Sequence, residues 1–403
     1  MVNIFDKFTC FFSQHQLQML QKHLLIYISI FILLITNCKE DEAKTKPLPN
    51  VIETNLNLNY AKGFSIKNNG NFKVLTITNP WPKADKNYRY ALISKENAAK
   101  TTLNKDEFDG IITIPIQKIV VTSTTHIPAL ELLDEVETLV GFPGTDYVSS
   151  IKTRQRIDDG LVRELGKNEG LNTEVLLSIN PDVVVGFGVD GKSKSLNTIK
   201  KANIPVIYNG DWVEKSPLAK AEWIKFFGAL YDKEQQADSI FKSIETSYKD
   251  AKQLAKTVTN QPTVISGALH KDVWYLPSGT STEAQLLKDA NLNYLYADTE
   301  AAGSLALNFE SVFAKAKQAN LWLSPSYYSS MDALKDANPH YTQFDAFKNN
   351  QVYSFTNATG ATGGVLYYET GFARPDLVLK DIIKIGHPEL LKDYEPYFFK
   401  VLK

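Results

Sequence analysis

The sequence has very little cysteine and no excess of either charge. Its 403 residues include 2 cysteines, and 44 basic residues nearly balance 45 acidic ones, for a formal net charge of −1. A balanced chain lacks the basic surface that binding to nucleic acid requires, so we expect no nucleic-acid partner. Hydrophobic residues make up 43% and charged residues 22%, as in ordinary globular proteins. This length provides material for more than one hydrophobic core.

The N-terminus lacks an apolar run long enough to span a bilayer. Leu24–Ile35 is apolar, follows Lys22 and precedes Cys38, which is the layout of a secretory signal peptide. The segment ending at Cys38 resembles a bacterial lipobox, in which the cysteine is lipidated. We therefore predict a signal peptide over 1–37 and lipidation of Cys38.

Residues 38–50 are polar and contain prolines, as expected of a tether between a membrane anchor and a folded body. The predicted location is the periplasm, with the protein anchored to a membrane by lipid. Lys39-Glu40-Asp41-Glu42 resembles the acidic export signals of surface lipoproteins. Exposure on the cell surface therefore stays open as an alternative.

Reactive thiols and known catalytic motifs are both missing from the predicted mature chain. Cys10 lies in the signal peptide and Cys38 carries lipid, which excludes disulfides and thiolate chemistry. No Gly-x-Ser-x-Gly or His-Glu-x-x-His motif is present. We expect no enzyme and no cofactor. An unrecognised enzyme on a two-lobe α/β scaffold is the alternative from a different class.

Secondary-structure patterns divide the rest of the chain. Residues 51–115 read as a β-rich extension, with a hairpin around Asn68-Asn69-Gly70 and a strand over Tyr88–Ser94. Strands and helices then alternate over 116–216 and again over 259–403, which predicts two lobes with parallel sheets. The region 217–258 reads as helical throughout, with Asp232 capping a second segment, and predicts a rigid connector between the lobes. The fold class is thus α/β, with two Rossmann-like lobes joined by one long helix.

A short sequence motif occurs once in each predicted lobe. Leu171-Asn172-Thr173-Glu174 and Leu307-Asn308-Phe309-Glu310 both open a short helix that leads into a strand. Asn is a good N-cap, and the glutamate falls in the first turn, where the helix dipole favours it. Capping alone explains each copy, but the duplication predicts a pair of acidic groups on a two-lobed protein.

The order of these segments resembles a known family. Asn172-x-Glu174-x7-Pro181-Asp182, the connecting helix and Arg374-Pro375-Asp376 are similar to the substrate-binding proteins of ABC importers for iron-siderophores, haem and cobalamin, the class III periplasmic binding proteins. The likeness covers roughly residues 116–390. It implies a monomer that binds a metal chelate in a cleft, changes shape little, and docks on the permease and ATPase complex through Glu174 and Glu310.

The ligand-binding candidates are aromatic residues near predicted strand ends, one polar turn and three arginines. In parallel sheets, ligands bind outside the carboxyl ends of the strands, and large chelates are held by aromatic faces and a few polar groups. The candidates are Trp81, Ser123, Thr124, Thr125, His126, Tyr147, Arg154, Arg156, Phe187, Trp212, Trp274, Tyr275, Tyr327, Tyr328, Tyr367, Tyr368 and Arg374. An iron(III)-siderophore is the predicted ligand, with cobalamin or haem as the alternative.

Histidines offer a metal-binding alternative. Zinc- and manganese-binding importer proteins share this plan and use three histidines and a carboxylate. The candidates here are His126, His270, His340 and His387, of which only His126 follows a strand end. We therefore predict no directly bound metal.

Overall fold

The computed structural model describes residues 56–188, 190–301 and 303–403. The predicted signal peptide, Cys38 and the tether lie outside the described residues. Within those ranges, no helix combines the length and apolarity that a membrane span needs.

The β-rich extension folds as a four-stranded sheet that shares the core of the first lobe. Its strands, in sheet order, are β1 (Phe64–Asn68), β2 (Phe72–Ile77), β3 (Tyr88–Ser94) and β4 (Gly110–Ile114), with a short helix α1 (Lys95–Ala98) before β4. β1 and β2 form the predicted antiparallel hairpin, and Gly70 supplies the positive φ of 78° in its turn. Leu75, Tyr90 and Ile112 are buried in the same cluster as the strands that follow.

The first lobe contains a five-stranded parallel sheet in the order β11-β10-β5-β6-β7. Its strands are β5 (Ile119–Val121), β6 (Leu139–Phe142), β7 (Arg163–Glu164), β10 (Val183–Phe187) and β11 (Val206–Asn209), with a hairpin of β8 (Gly166–Lys167) and β9 (Gly170–Leu171). Its helices are α2 (Ile127–Leu132), α3 (Ile151–Asp158), α4 (Thr173–Ile179) and α5 (Lys194–Lys201), and short 3-10 turns cover Thr124–His126, Val136–Thr138, Thr145–Tyr147 and Asp211–Val213.

The helical region between the lobes is divided into three helices, and the predicted second segment after Asp232 is confirmed. The region consists of α6 (Pro217–Ala221), α7 (Ile224–Leu230) and α8 (Glu234–Ala255). Asp232 adopts a left-handed φ of 58°, which interrupts the helical path before α8. α8 alone is the connector, and its 22 residues span about 33 Å.

The second lobe has a mixed five-stranded sheet in the order β15-β12-β17-β18-β19, in which only β19 is antiparallel to its neighbour. Its strands are β12 (Thr263–Ser266), β15 (Asn293–Tyr294), β17 (Leu321–Leu323), β18 (Val352–Ser354) and β19 (Lys400–Val401), and β13 (Ala268–His270), β14 (Val273–Pro277) and β16 (Ser304–Leu307) form a separate antiparallel sheet. The helices are α9 (Thr282–Asp289), α10 (Phe309–Ala316), α11 (Met331–Ala337), α12 (Asp345–Lys348), α13 (Leu366–Thr370) and α14 (Pro375–Gly386), with 3-10 turns at Pro339–Gln343 and Pro388–Leu391.

The connector helix and one extended segment join the two hydrophobic cores. On α8, Phe241 and Ile244 belong to the core of the first lobe, and Tyr248 and Ala251 belong to the core of the second. The segment Leu56–Ala61, here called the strap, crosses beside α8. Tyr60 packs against both cores and donates a 2.6 Å hydrogen bond to Glu245.

The strap is held to the first lobe by a buried carboxylate. Glu222 accepts hydrogen bonds from the backbone N–H groups of Asn59, Tyr60 and Ala61 at 2.8–2.9 Å. The Nζ of the buried Lys225 lies 3.0 Å from the Glu222 carboxylate, which neutralises the charge. The strap is therefore an integral part of the fold.

Candidate functional site

The second lobe is hollow at the carboxyl end of its parallel sheet. A cavity of about 760 Å³ opens there, within the size range of pockets for small ligands. Its lining comes from residues at or after the ends of β12, β17 and β18, from the antiparallel sheet, and from α9, α13 and α14: Ser266, Gly267, Ala268, His270, Tyr275, Leu276, Pro277, Ser281, Glu283, Leu286, Leu287, Gly303, Ser304, Leu323, Ser324, Ser326, Tyr327, Phe355, Tyr367, Tyr368, Ile382 and Phe399.

Small residues at the strand ends create this space. Ser266, Gly267 and Ala268 follow one another where β12 ends, and Ser324 follows β17. Gly267 has a φ of 75°, and a Cβ there would lie 1.8 Å from the carbonyl oxygen of Tyr275. Only glycine fits this close approach, so the backbone itself shapes the wall.

Tyrosines form part of the cavity wall. The hydroxyls of Tyr327 and Tyr368 are 2.9 Å apart, and both side chains are well exposed, at 69% and 40%. Tyr367 stacks on Phe355 with ring centroids 4.3 Å apart. Burial raises the pKa of both Tyr367 and Tyr368, so their phenols stay neutral hydrogen-bond donors. Such a wall offers flat apolar faces with a few polar groups.

The first lobe differs, because its own side chains fill the carboxyl end of its sheet. His126 is fully buried, with its ring 5.8 Å from that of Phe227. Burial lowers the pKa of His126 to about 3, and neither ring nitrogen has a hydrogen-bond partner among the described residues. Trp212 and Phe187, which follow β11 and end β10, pack with ring centroids 5.8 Å apart. These residues close the space that the second lobe leaves open.

A pocket of about 340 Å³ lies in the first lobe beside Gly210, just after β11. A smaller gap lies between the first lobe and Phe372 of the second. It measures about 20 Å³, enough for one water molecule, and includes Thr125, Asp211 and Lys220 in its lining. Burial raises the pKa of Asp211 to about 6. The hydroxyls of the predicted polar turn bond within the turn itself. The Ser123 hydroxyl caps the turn Thr124–His126 and lies 2.9 Å from the Thr125 hydroxyl.

The two lobes touch beside the cavity. Glu369, on α13 next to Tyr368, is buried and accepts hydrogen bonds from the N–H groups of Ser149 and Ser150 at 2.6 and 2.8 Å. Burial raises the pKa of Glu369 to about 7. The Thr362 hydroxyl donates a 2.8 Å bond to the carbonyl oxygen of Asp146. One wall of the cavity is thus held against the first lobe.

The three candidate arginines all bond to protein groups outside the cavity. Arg154 donates to the Thr145 carbonyl at 2.6 Å and lies 3.1 Å from Asp158. Arg156 is buried and pairs with Glu137. Arg374 makes a bidentate pair with Asp376, with both bonds at 2.9 Å. None of the three lines the cavity.

Some candidate aromatics lie in the cores and not in the cavity. Trp274 is fully buried and stacks on Trp322, so its placement as a cleft residue is corrected. Trp81 is also buried, packed edge-on against Tyr208. Tyr328 packs against the core of the second lobe, and its ring centroid lies 6.5 Å from that of Tyr341.

The other aromatic candidates have access to solvent. Tyr147 is 72% exposed in the first lobe, and its carbonyl oxygen lies beside Gly364 of the second. The cavity brings together Tyr275, Tyr327, Tyr367 and Tyr368. Sequence reasoning missed Glu283, Ser266 and Phe355. A strand-end signal was available for Phe355, which closely follows β18.

The candidate histidines do not come together. In the part of the chain that the structure describes, no group of three or more His, Cys, Asp or Glu side chains is placed to hold a metal ion. His126 and His387 are buried, whereas His270 and His340 are exposed. The geometry gives no support to the three-histidine alternative.

The two glutamates of the repeated motif occupy equivalent positions. Glu174 and Glu310 are both exposed in the first turn of α4 and α10. The preceding Asn172 and Asn308 cap those helices through their side-chain oxygens, at 3.1 and 2.8 Å from the accepted N–H groups. Within the described residues, neither glutamate forms an ion pair.

Two α/β lobes, one connector helix and a cavity at a sheet's carboxyl end define a bilobed solute-binding protein. The model of the periplasmic binding protein family matches residues 119–359, and the chain belongs to that family. This confirms the resemblance drawn from the sequence and the α/β fold class. Members of the family are solute-binding proteins and not enzymes.

Individual proteins show the same likeness. An uncharacterised lipoprotein of Methanocaldococcus jannaschii is 28% identical over 299 residues, covering 72% of this chain and 69% of the relative. A possible iron-binding periplasmic solute-binding protein of Staphylococcus epidermidis has a TM-score of 0.54 at 18% identity, covering 68% of this chain and 99% of that chain. A periplasmic haem-binding protein of Pseudomonas aeruginosa has a TM-score of 0.53 at 15% identity, covering 72% and 98%. At these identities the structures support the fold.

Proposed function

We propose that this protein captures an iron(III)-siderophore and delivers it to an ABC permease. The observation that carries the proposal is the cavity of about 760 Å³, with its tyrosine wall, at the carboxyl end of the second sheet. A large chelate needs such aromatic faces with few polar anchors. The family and the iron-binding neighbour support the same class of ligand.

Haem or cobalamin is the second candidate, because either would fit the same kind of cavity. The neighbour from Pseudomonas aeruginosa is described as haem-binding. Titration with ferric haem, cyanocobalamin and a set of ferric siderophores, followed by thermal unfolding, separates the candidates. The true ligand class raises the melting temperature as its concentration exceeds Kd. Stabilisation by haem or cobalamin but by no siderophore would contradict the first choice.

Delivery depends on the two exposed glutamates in this proposal. Glu174 and Glu310 are docking groups that pair with permease arginines, and Cys38 anchors the protein to the membrane. Their exposure, lack of an ion pair among the described residues and duplicated geometry support the role. Opposite charges across an interface set its register and favour encounter.

Reversing both charges tests the docking role. The double variant Glu174→Lys/Glu310→Lys should bind chelate normally and lose uptake. A matched control, Glu169→Lys/Glu395→Lys, places the same charge change at one other exposed glutamate in each lobe. The control should keep uptake. Normal uptake by the first variant would contradict the role and leave only helix capping, which contributes about 0.3–1 kcal/mol.

A further inference from the structure

The charge of the cavity restricts the ligand further than its size does. Among the described lining residues there is no lysine or arginine, and the only basic side chain is the exposed imidazole of His270. The lining does include one carboxylate, Glu283, in the first turn of α9. Glu283 forms no ion pair within the described residues.

Lys220 and the three candidate arginines lie outside the cavity lining. Lys220 is buried and its ammonium group lies 3.8 Å from the ring centroid of Phe372, outside the cavity lining. Burial lowers the pKa of Lys220, although the Glu283 charge favours its protonated form. Arg154, Arg156 and Arg374 are paired with carboxylates, as described above.

The tyrosines of the cavity wall favour a ligand that is positively charged or neutral. The lining includes Tyr275, Tyr327, Tyr367 and Tyr368. Tyrosine ring faces attract cations, and tyrosine hydroxyls donate to neutral oxygens. An anion that entered would lose its hydration and meet Glu283 without a counter-charge, which is costly in a partly buried site. A neutral or cationic ligand avoids both costs.

We propose that this site selects ferric chelates that are neutral or positively charged, such as hydroxamates, and rejects polyanionic ones such as catecholates and polycarboxylates. The proposal rests on the proposed function. Glu283 is the residue that sets the preference for positive charge. It acts by direct Coulomb attraction across the cavity, which salt weakens.

Three ferric chelates of similar size test the selection. Ferrioxamine B is singly positive, ferrichrome is neutral, and ferric enterobactin is triply negative. With the wild-type protein, quenching of intrinsic fluorescence should show ferrioxamine B and ferrichrome binding at least about 100-fold more tightly than ferric enterobactin. Ferric enterobactin binding as tightly as ferrioxamine B would overturn the selection and leave the siderophore function standing. If none of the three binds, both proposals fail.

Substitutions of Glu283 test its role directly. Glu283→Gln should weaken binding of ferrioxamine B about threefold to tenfold, remove its salt dependence, and leave ferrichrome unchanged. The matched control is Asp332→Asn, which removes a first-turn charge from α11 of the same lobe, outside the cavity. Glu283→Lys should improve binding of ferric enterobactin. Equal effects of Glu283→Gln on the charged and neutral chelates would assign Glu283 a structural role and overturn its part in selection.

Discussion

The two lobes share a parallel-sheet plan and treat its carboxyl edge in opposite ways. In the first lobe, His126 and Trp212 pack at the edge, and the gap beside Phe227 measures about 20 Å³. In the second, Ser266 and Gly267 leave about 760 Å³. The fold therefore sets where a ligand can bind, but the size of the residues at the strand ends decides which lobe has room for it.

The difference between the lobes matters only if the lobes keep fixed positions. Substitution of Glu222 tests this and has the largest expected effect. Glu222→Ala removes the acceptor of three strap N–H groups and a partner of the buried Lys225. We expect a loss of about 3 kcal/mol in unfolding free energy, measured by denaturant titration. Calorimetry should show the single transition separating into two.

Glu214→Ala is the control for that variant. Glu214 also accepts two backbone N–H groups just after the strap, at 2.8–2.9 Å, and the indole N–H of Trp223 at 3.1 Å, but it forms no ion pair within the described residues. Its loss should cost about 1–2 kcal/mol. Equal losses for both variants would show that the Glu222 pair does not hold the lobes together.

The contact between the lobes at Glu369 should depend on pH. Burial raises the pKa of Glu369 from 4.5 to about 7, so the folded state binds its proton more tightly than the unfolded state does. Stability from this group is full below about pH 4.5 and is lost as pH rises through about 7. Glu369→Gln should flatten that part of the melting temperature against pH. Asp211 stays in both proteins, so the difference between them isolates Glu369. Parallel curves for the two would contradict the expectation.

The smallest expected effect compares aromatic residues of the two lobes directly. The double variant Tyr327→Ala/Tyr368→Ala removes two exposed rings from the cavity wall and should weaken chelate binding about tenfold, or ~1.4 kcal/mol. Tyr147→Ala removes an exposed ring from the first lobe and should weaken binding less than about threefold. Isothermal titration calorimetry measures both. A larger effect of Tyr147→Ala would reverse the assignment of the binding lobe.

Local patterns predicted strands better than they predicted the site. Both ends of the strand Tyr88–Ser94 were predicted correctly, because polar segments flank it. The start of α8 was predicted from Asp232, whereas the break between α6 and α7 was missed because neither residue between them is a glycine or a proline. Alternation along β14 puts Trp274 inside and Tyr275 outside, but the sequence does not say which face of a strand meets the core.

The cavity could not be predicted from local sequence patterns, for a related reason. Glu283 reads as an ordinary first-turn acid of α9, and only the packing of α9 against α14 and β15 places it at an open space. Glu369 likewise gains its role from Ser149, which is distant in sequence. Both depend on how elements meet, which periodicity does not encode.

The position of the strap has a mechanical consequence. Any pull on the chain ahead of residue 56 reaches the body at the strap, where Tyr60 lies against both cores and Glu222 grips three consecutive N–H groups. The load is then shared between the lobes along α8 and does not pry them apart. Force that enters at residue 56 therefore meets both cores before it reaches the cavity, whose described lining contains no residue of the strap.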